Sequence, residues 1–156
     1  MSTVQWLLGA HVLGAFLFVS GAVAAGALQT AALRRERPSE IAALLSLTRV
    51  AVAIVGAGSL LAVGFGAWLV EELQLGWDRT WISAALGLFL ASSLFGGLGG
   101  RAARHARHLA ERLATEGDEP SRELSRALAD PIALLLNYGS FLAALAILAL
   151  MIWKPA

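Results

Sequence analysis

The chain contains no cysteine, so it can close no disulfide and offers no thiolate to zinc, to an iron-sulfur cluster or to thiol redox chemistry. Charge is scarce too. Only 15% of residues are charged against 58% hydrophobic, and no aspartate, glutamate or lysine interrupts any of four long apolar runs. That scarcity removes twin carboxylates, a nucleophile and base pair and a charged pathway from the apolar interior. No metal-protease or nucleotide motif occurs either. Gly97-Leu98-Gly99-Gly100 is no phosphate loop, because no strand precedes it and no Lys-Ser/Thr follows. The four prolines, Pro38, Pro120, Pro131 and Pro155, all avoid the interiors of the runs.

The apolar runs themselves cover residues 4–33, 41–70, 80–100 and 131–153. Each is close to or longer than the roughly 20 residues that cross a hydrocarbon core of about 30 Å as a helix. The formal charge of +1 conceals a strong asymmetry. Arg34, Arg35, Arg37 and Arg49 crowd the connection after the first run, and Arg101, Arg104, Arg107, Arg112, Arg122 and Arg126 follow the third. Trp6, Trp68, Trp77, Trp81 and Trp153 fall at the opposite ends, joined there by Arg79 and Lys154. Arginine on the cytoplasmic side and indole at a membrane interface are separate rules, and here they give one topology with both termini outside. The first run is too long for a signal peptide and lacks a basic leading region, so it is read as a retained span.

Local signals place the ends of the helices. The first helix starts near Thr3, and Ser39 is a candidate N-cap for the second, with Glu40 complementing its dipole. Ile41, Leu44 and Leu45 then lie at the inner interface, with the spanning part at residues 50–70. Asp78 or Thr80 can cap the third helix. The four glycines of Gly96 to Gly100 predict a break before Arg101. From Arg101 to Thr115 a separate, basic and weakly amphipathic helix is expected, with Ala102, Ala106, Leu109 and Leu113 on one face. Ser121 can start a further short helix, so residues 101–130 form an inner loop with two surface helices. Asp130-Pro131 is a start signal for the last span.

Few polar groups enter the spans. His11, about two turns from the outer end of the first, is the only ionisable side chain well inside one, and is the candidate cofactor ligand or proton relay. A neutral histidine bonded to a neighbouring helix is the plainer alternative. No metal site is expected. His105 and His108, three apart, lack a third ligand nearby and lie on the other side of the membrane from His11. Arg49, Asn137 and Tyr138 are candidate buried polar groups toward the cytoplasmic half, able to cluster between the second and fourth spans. Arg101, Arg104, Arg107 and Arg112 are candidate ligands for anionic lipid, while nucleic acid is not expected of so small a patch beside an acidic stretch. Gly14, Gly21, Gly66, Gly96 and Gly100 stand in small-residue pairs that let helix backbones approach.

His11-Val12-Leu13-Gly14, Trp81-Ile82, the basic loop after Gly100 and Met151-Ile152-Trp153-Lys154-Pro155 together resemble a bacterial family of predicted integral membrane proteins with four helices, known under a domain-of-unknown-function label. They are distantly similar to CopD-type copper-resistance proteins and to HemJ-type protoporphyrinogen oxidases. The family resemblance implies a four-helix membrane fold along nearly the whole chain. Likeness to the HemJ-type proteins implies haem b at a first-helix histidine, a position that His11 matches.

The expectation is therefore an all-α, four-transmembrane-helix bundle, one integral membrane domain over residues 1–156, in a bacterial cytoplasmic membrane. Its expected role is non-catalytic, as a helix-packing or accessory subunit whose partners are membrane lipids, other membrane subunits or a second copy. The alternatives are a haem, porphyrin or metal handler using His11, and a small transporter.

Overall fold

The computed structural model describes residues 2–153; Met1 and Lys154, the latter expected beside the tryptophans, lie outside the described residues. Five helices follow one another: α1 (Thr3–Ala32), α2 (Pro38–Glu72), α3 (Thr80–Thr115), α4 (Arg122–Leu128) and α5 (Pro131–Trp153). No strand occurs among the described residues. Four stretches, α1, α2, α3 and residues 122–153 ending in α5, are long and apolar enough to cross a membrane. In hydrocarbon no water can satisfy a peptide group, so each apolar run closes its hydrogen bonds within itself as a helix.

The helix starts follow local chemistry with two exceptions. Ser2 and Gln5 form a reciprocal capping box at α1, Ser121 accepts from the Leu124 amide at α4, and Asp130 accepts from Ile132 N–H at 2.9 Å where Pro131 opens α5. At α2 the cap is Arg37 with Pro38 in the first turn, so Ser39 is already helical and does not cap. At α3 the cap is Arg79, whose side chain makes no capping bond and donates instead to Leu75 O at 2.9 Å, and neither Asp78 nor Thr80 serves. There the chain turns through Gln74 at φ 49° and Gly76 at φ 77°, with the Asp78 carboxylate packed where a side chain at position 76 would go.

The expected break at Gly96 to Gly100 does not occur. α3 runs unbroken to Thr115, so residues 101–115 are its continuation and not a separate surface helix. Side chains of α5 occupy the space that two of these glycines leave: a Cβ at Gly96 would sit 3.0 Å from Ser140 Oγ, and one at Gly99 would collide with Asn137. Glycine's helical penalty of about 1 kcal/mol per residue is offset at Gly96 and Gly99 by that close approach.

The helices pair as α1 with α2 and α3 with α5; α2 and α3 join the pairs more sparsely, and α1 barely meets α5. Gly21 faces Ala51 and Val55, Phe18 packs against Phe89 with the rings tilted and their centroids 6.0 Å apart, and Gly99 faces Asn137. Counting along these registers at 1.5 Å per residue puts Trp6 and Trp68 at one height, with Trp77 close by in the turn before α3, while Trp153, about 22 Å along α5 from Tyr138, falls several ångströms inside it. Arg49, Gly97 and Tyr138 share another height about 30 Å away, one hydrocarbon thickness. These four tryptophans and Tyr138 are all exposed at their sides, as rings seated in the two interfaces require.

Past Arg49 the helices continue into a cap at the arginine end. Leu45 and Leu124 are fully buried there, packed with Ala32, Ile41, Ala106, Leu109, Ala110 and Leu128. Between the two aromatic heights, by contrast, Phe16, Leu60 and Leu142 stand more than 60% exposed. The total surface of 9609 Å² exceeds the roughly 7,500 Å² of a compact soluble protein of this mass. Leu45→Ala is expected to destabilise the fold by about 2–5 kcal/mol, whereas Leu60→Ala should cost under about 0.5 kcal/mol. Unfolding by SDS in mixed micelles measures both.

Candidate functional site

His11 lies between α1 and α2, toward the tryptophan end. Gly66 makes the room: a Cβ there would come within 2.9 Å of His11 Nδ1 and 3.0 Å of Cε1. The imidazole is half-buried, and its Nδ1 lies 2.7 Å from the carbonyl oxygen of Ala62. A carbonyl only accepts, so Nδ1 carries a proton and donates it. In the neutral ring Nε2 then keeps its lone pair, and it has no hydrogen-bond partner among the described residues. A ring held by Nδ1–H to a backbone carbonyl is the arrangement in which Nε2 serves as a ligand. Among the described residues no three histidine, aspartate or glutamate side chains come together around a common point.

Glycines set the spacing of the same seam. A Cβ at Gly14 would collide with Ala62 and Leu61, and one at Gly21 would meet Val55 Cγ2 at 2.8 Å. Gly58, unmarked in the sequence reading, lies against Phe18 and Gly14; its four-residue spacing to Ala62 and Gly66 was the available signal. Gly96 packs on Ser140. Gly100 does not pack between helices, its nearest neighbour being Arg104 Nη1 of its own helix at 3.6 Å.

The second pair is pinned by a contact that the sequence did not disclose. Ser92 Oγ–H donates to Ser140 O at 2.9 Å, Ser140 Oγ–H donates to Ser92 O at 2.9 Å, and the two hydroxyl oxygens are 3.1 Å apart. Serine alone in an apolar run usually bonds its own helix, so only the three-dimensional register reveals the exchange.

Arg49, Asn137 and Tyr138 do not form the expected cluster. Arg49 and Tyr138 share a height but are exposed, while Asn137 turns onto Gly99. Of the four arginines expected on lipid, Arg101, Arg104 and Arg112 are exposed and Arg107 is not. Its side chain is only 10% exposed, with Nε 3.4 Å from Glu111 Oε1 and Nη2 3.3 Å from His108 Nε2; His108 Nδ1 in turn lies 3.3 Å from Glu111 Oε2. The Arg107 Nε–H completes no hydrogen bond despite that ion pair. Because α3 continues straight out of its span, Arg112 is carried about 17 Å past Arg101 along the helix, away from the head groups.

Asp118 ties the cap to the start of α2. The Ser39 N–H and the Ser39 hydroxyl each donate to one Asp118 carboxylate oxygen at 2.7 Å, across 79 residues of sequence. Gly117 at φ 132° and Asp118 at φ 57° turn the chain so that this carboxylate reaches the positive end of the α2 dipole. The bond from the Ser39 hydroxyl, then that from its amide, holds Asp118 below the usual carboxylate range; burial opposes the shift and Arg37 assists it.

The family model described as predicted integral membrane protein (DUF2269) matches residues 3–155, and the chain belongs to that family. No curated protein and no solved structure matches the chain, and the expected likeness to CopD-type and HemJ-type proteins is not shown.

Because the folded-state pKa of Asp118 is depressed, its contribution is present above the ordinary carboxylate pKa and is lost as pH falls through the folded value. Thermal unfolding from pH 7 down to below about pH 4 should show this loss. Asp118→Asn should be less stable than wild type at pH 7 and show a shallower acid slope, whereas parallel slopes would mean that the Ser39 contact contributes nothing.

Proposed function

We propose that this four-span integral membrane protein is a non-catalytic accessory subunit that packs against other membrane proteins or a second copy of itself. Its arginine end lies in the cytoplasm of a bacterium and both termini lie outside, a reading supported by the opposed arginine and tryptophan distributions. The observation that carries the packing role is the open space around the two helix pairs. Gly9, Gly26, Gly56, Gly64, Gly87 and Gly97 have no atom within 4 Å of where a side chain would start. Such glycines permit another helix to approach closely, which is how association proceeds where lipid removes the hydrophobic drive.

Native mass spectrometry of the protein extracted in mild detergent tests this reading. The expected mass exceeds the 16.3 kDa of one chain, and Gly56→Leu with Gly64→Leu should return it to that value without loss of helicity. A wild-type protein that is only ever monomeric and carries no companion would end the proposal.

A second reading rests on the unpartnered Nε2 of His11. One imidazole held by Nδ1–H suits an axial ligand of haem b, another porphyrin or a metal ion, with a second ligand supplied across an oligomer. The Ala62 carbonyl would keep the ring oriented. An absorption spectrum and elemental analysis of the purified protein decide it: a Soret band or stoichiometric metal lost in His11→Ala supports the reading, and a colourless, metal-free protein removes it.

A further inference from the structure

An open groove of about 490 Å³ runs along the arginine end of α1, lined by Ala27, Thr30, Ala31, Arg34 and Arg35. Its floor is small and apolar, because the Thr30 hydroxyl is already spent on the Gly26 carbonyl at 2.8 Å. Its far rim is cationic. Arg34 makes no ion pair among the described residues, and Arg35 Nη1 is 3.5 Å from Glu40 Oε2 with both side chains about half exposed, a weak attachment in water. Both guanidinium groups line the same groove as Ala27, so they reach back along the last two turns of α1.

The height of the groove says what fits it. By the register of Gly21 on Ala51 and Val55, Ala27 lies level with Arg49 and Tyr138, at the edge of the hydrocarbon. The phosphates of the leaflet begin within the next several ångströms, where the guanidinium groups are. A free anion would use the rim and leave the apolar floor open, whereas a phospholipid uses both. We propose that this groove seats one anionic phospholipid, its phosphate between Arg34 and Arg35 and the upper acyl chains along Ala27 and Ala31. Bidentate contact from either guanidinium gives the head group a fixed position. The site is separate from Arg101, Arg104 and Arg112, which lie on α3, and it does not depend on the accessory role proposed above.

Titration of the purified full chain with phosphatidylglycerol and, separately, phosphatidylcholine, read by native mass spectrometry, tests the assignment. Wild type should bind phosphatidylglycerol in preference. Replacing both arginines, Arg34→Ala with Arg35→Ala, should weaken that binding at least about tenfold, since each basic residue near an anionic surface contributes on the order of 1 kcal/mol. Ala27→Trp fills the groove without changing charge and should weaken it as well, while Arg112→Ala should leave it unchanged. The three exposed positions tolerate replacement, and circular dichroism verifies that helicity is kept. Equal binding of the two lipids, full binding by the double arginine variant or by Ala27→Trp, or displacement of the lipid by inorganic phosphate at equal concentration would each overturn the proposal.

Discussion

Burial of an apolar side chain is rewarded only where the alternative is water, and this molecule lies in two solvents. In the cap, water surrounds the helix ends, and Leu45, Leu124, Ile41 and Leu109 disappear into a core of the kind a soluble protein has. Across the hydrocarbon, lipid tails are as good a neighbour as another leucine, so Leu60 and Leu142 point outward with nothing lost. What remains to hold the spans together is close backbone approach and a few hydrogen bonds. The distribution of buried residues along each helix follows from that change of solvent.

The interhelical contacts divide accordingly. Between α1 and α2, Gly14, Gly21, Gly58 and Gly66 bring the backbones together and make space for one imidazole. Between α3 and α5, Gly96 and Gly99 do the same for Ser140 and Asn137, and the exchanged hydroxyl bonds of Ser92 and Ser140 fix the register. Each such bond is worth only about 0.6 kcal/mol on average in a membrane. Their directional value is greater, because a helix that slid by one turn would leave hydroxyls and an imidazole facing hydrocarbon.

The four long apolar helices could be read from the sequence, since run length is a one-dimensional property, although α3 continues to Thr115 where an end at Gly100 was expected. The starts at Ser2, Ser121 and Asp130 were equally local. Ser39 misled because its hydroxyl serves a carboxylate 79 residues away, a contact that proximity in sequence cannot suggest. The glycines of Gly96 to Gly100 misled for a related reason: at Gly96 and Gly99 the low helix propensity is offset by α5, which fills the space those two leave. Among the candidate site residues, His11 stood out as the lone ionisable group in a span, but the carbonyl that orients it and the glycine that admits it lie on α2. Arg107 was grouped with its exposed neighbours because a short helix lying on lipid would display all four arginines, whereas the upright helix turns one of them inward.

The unbroken course of α3 makes the span and the cap one lever. A hinge at the glycines would have let the aqueous part stay still while the membrane part leaned; without one, any tilt forced by a thicker or thinner bilayer swings residues 101–115 through an arc. Asp118 transmits that swing to the first turn of α2, through the two bonds to Ser39. The spanning and aqueous parts of α3 share one axis.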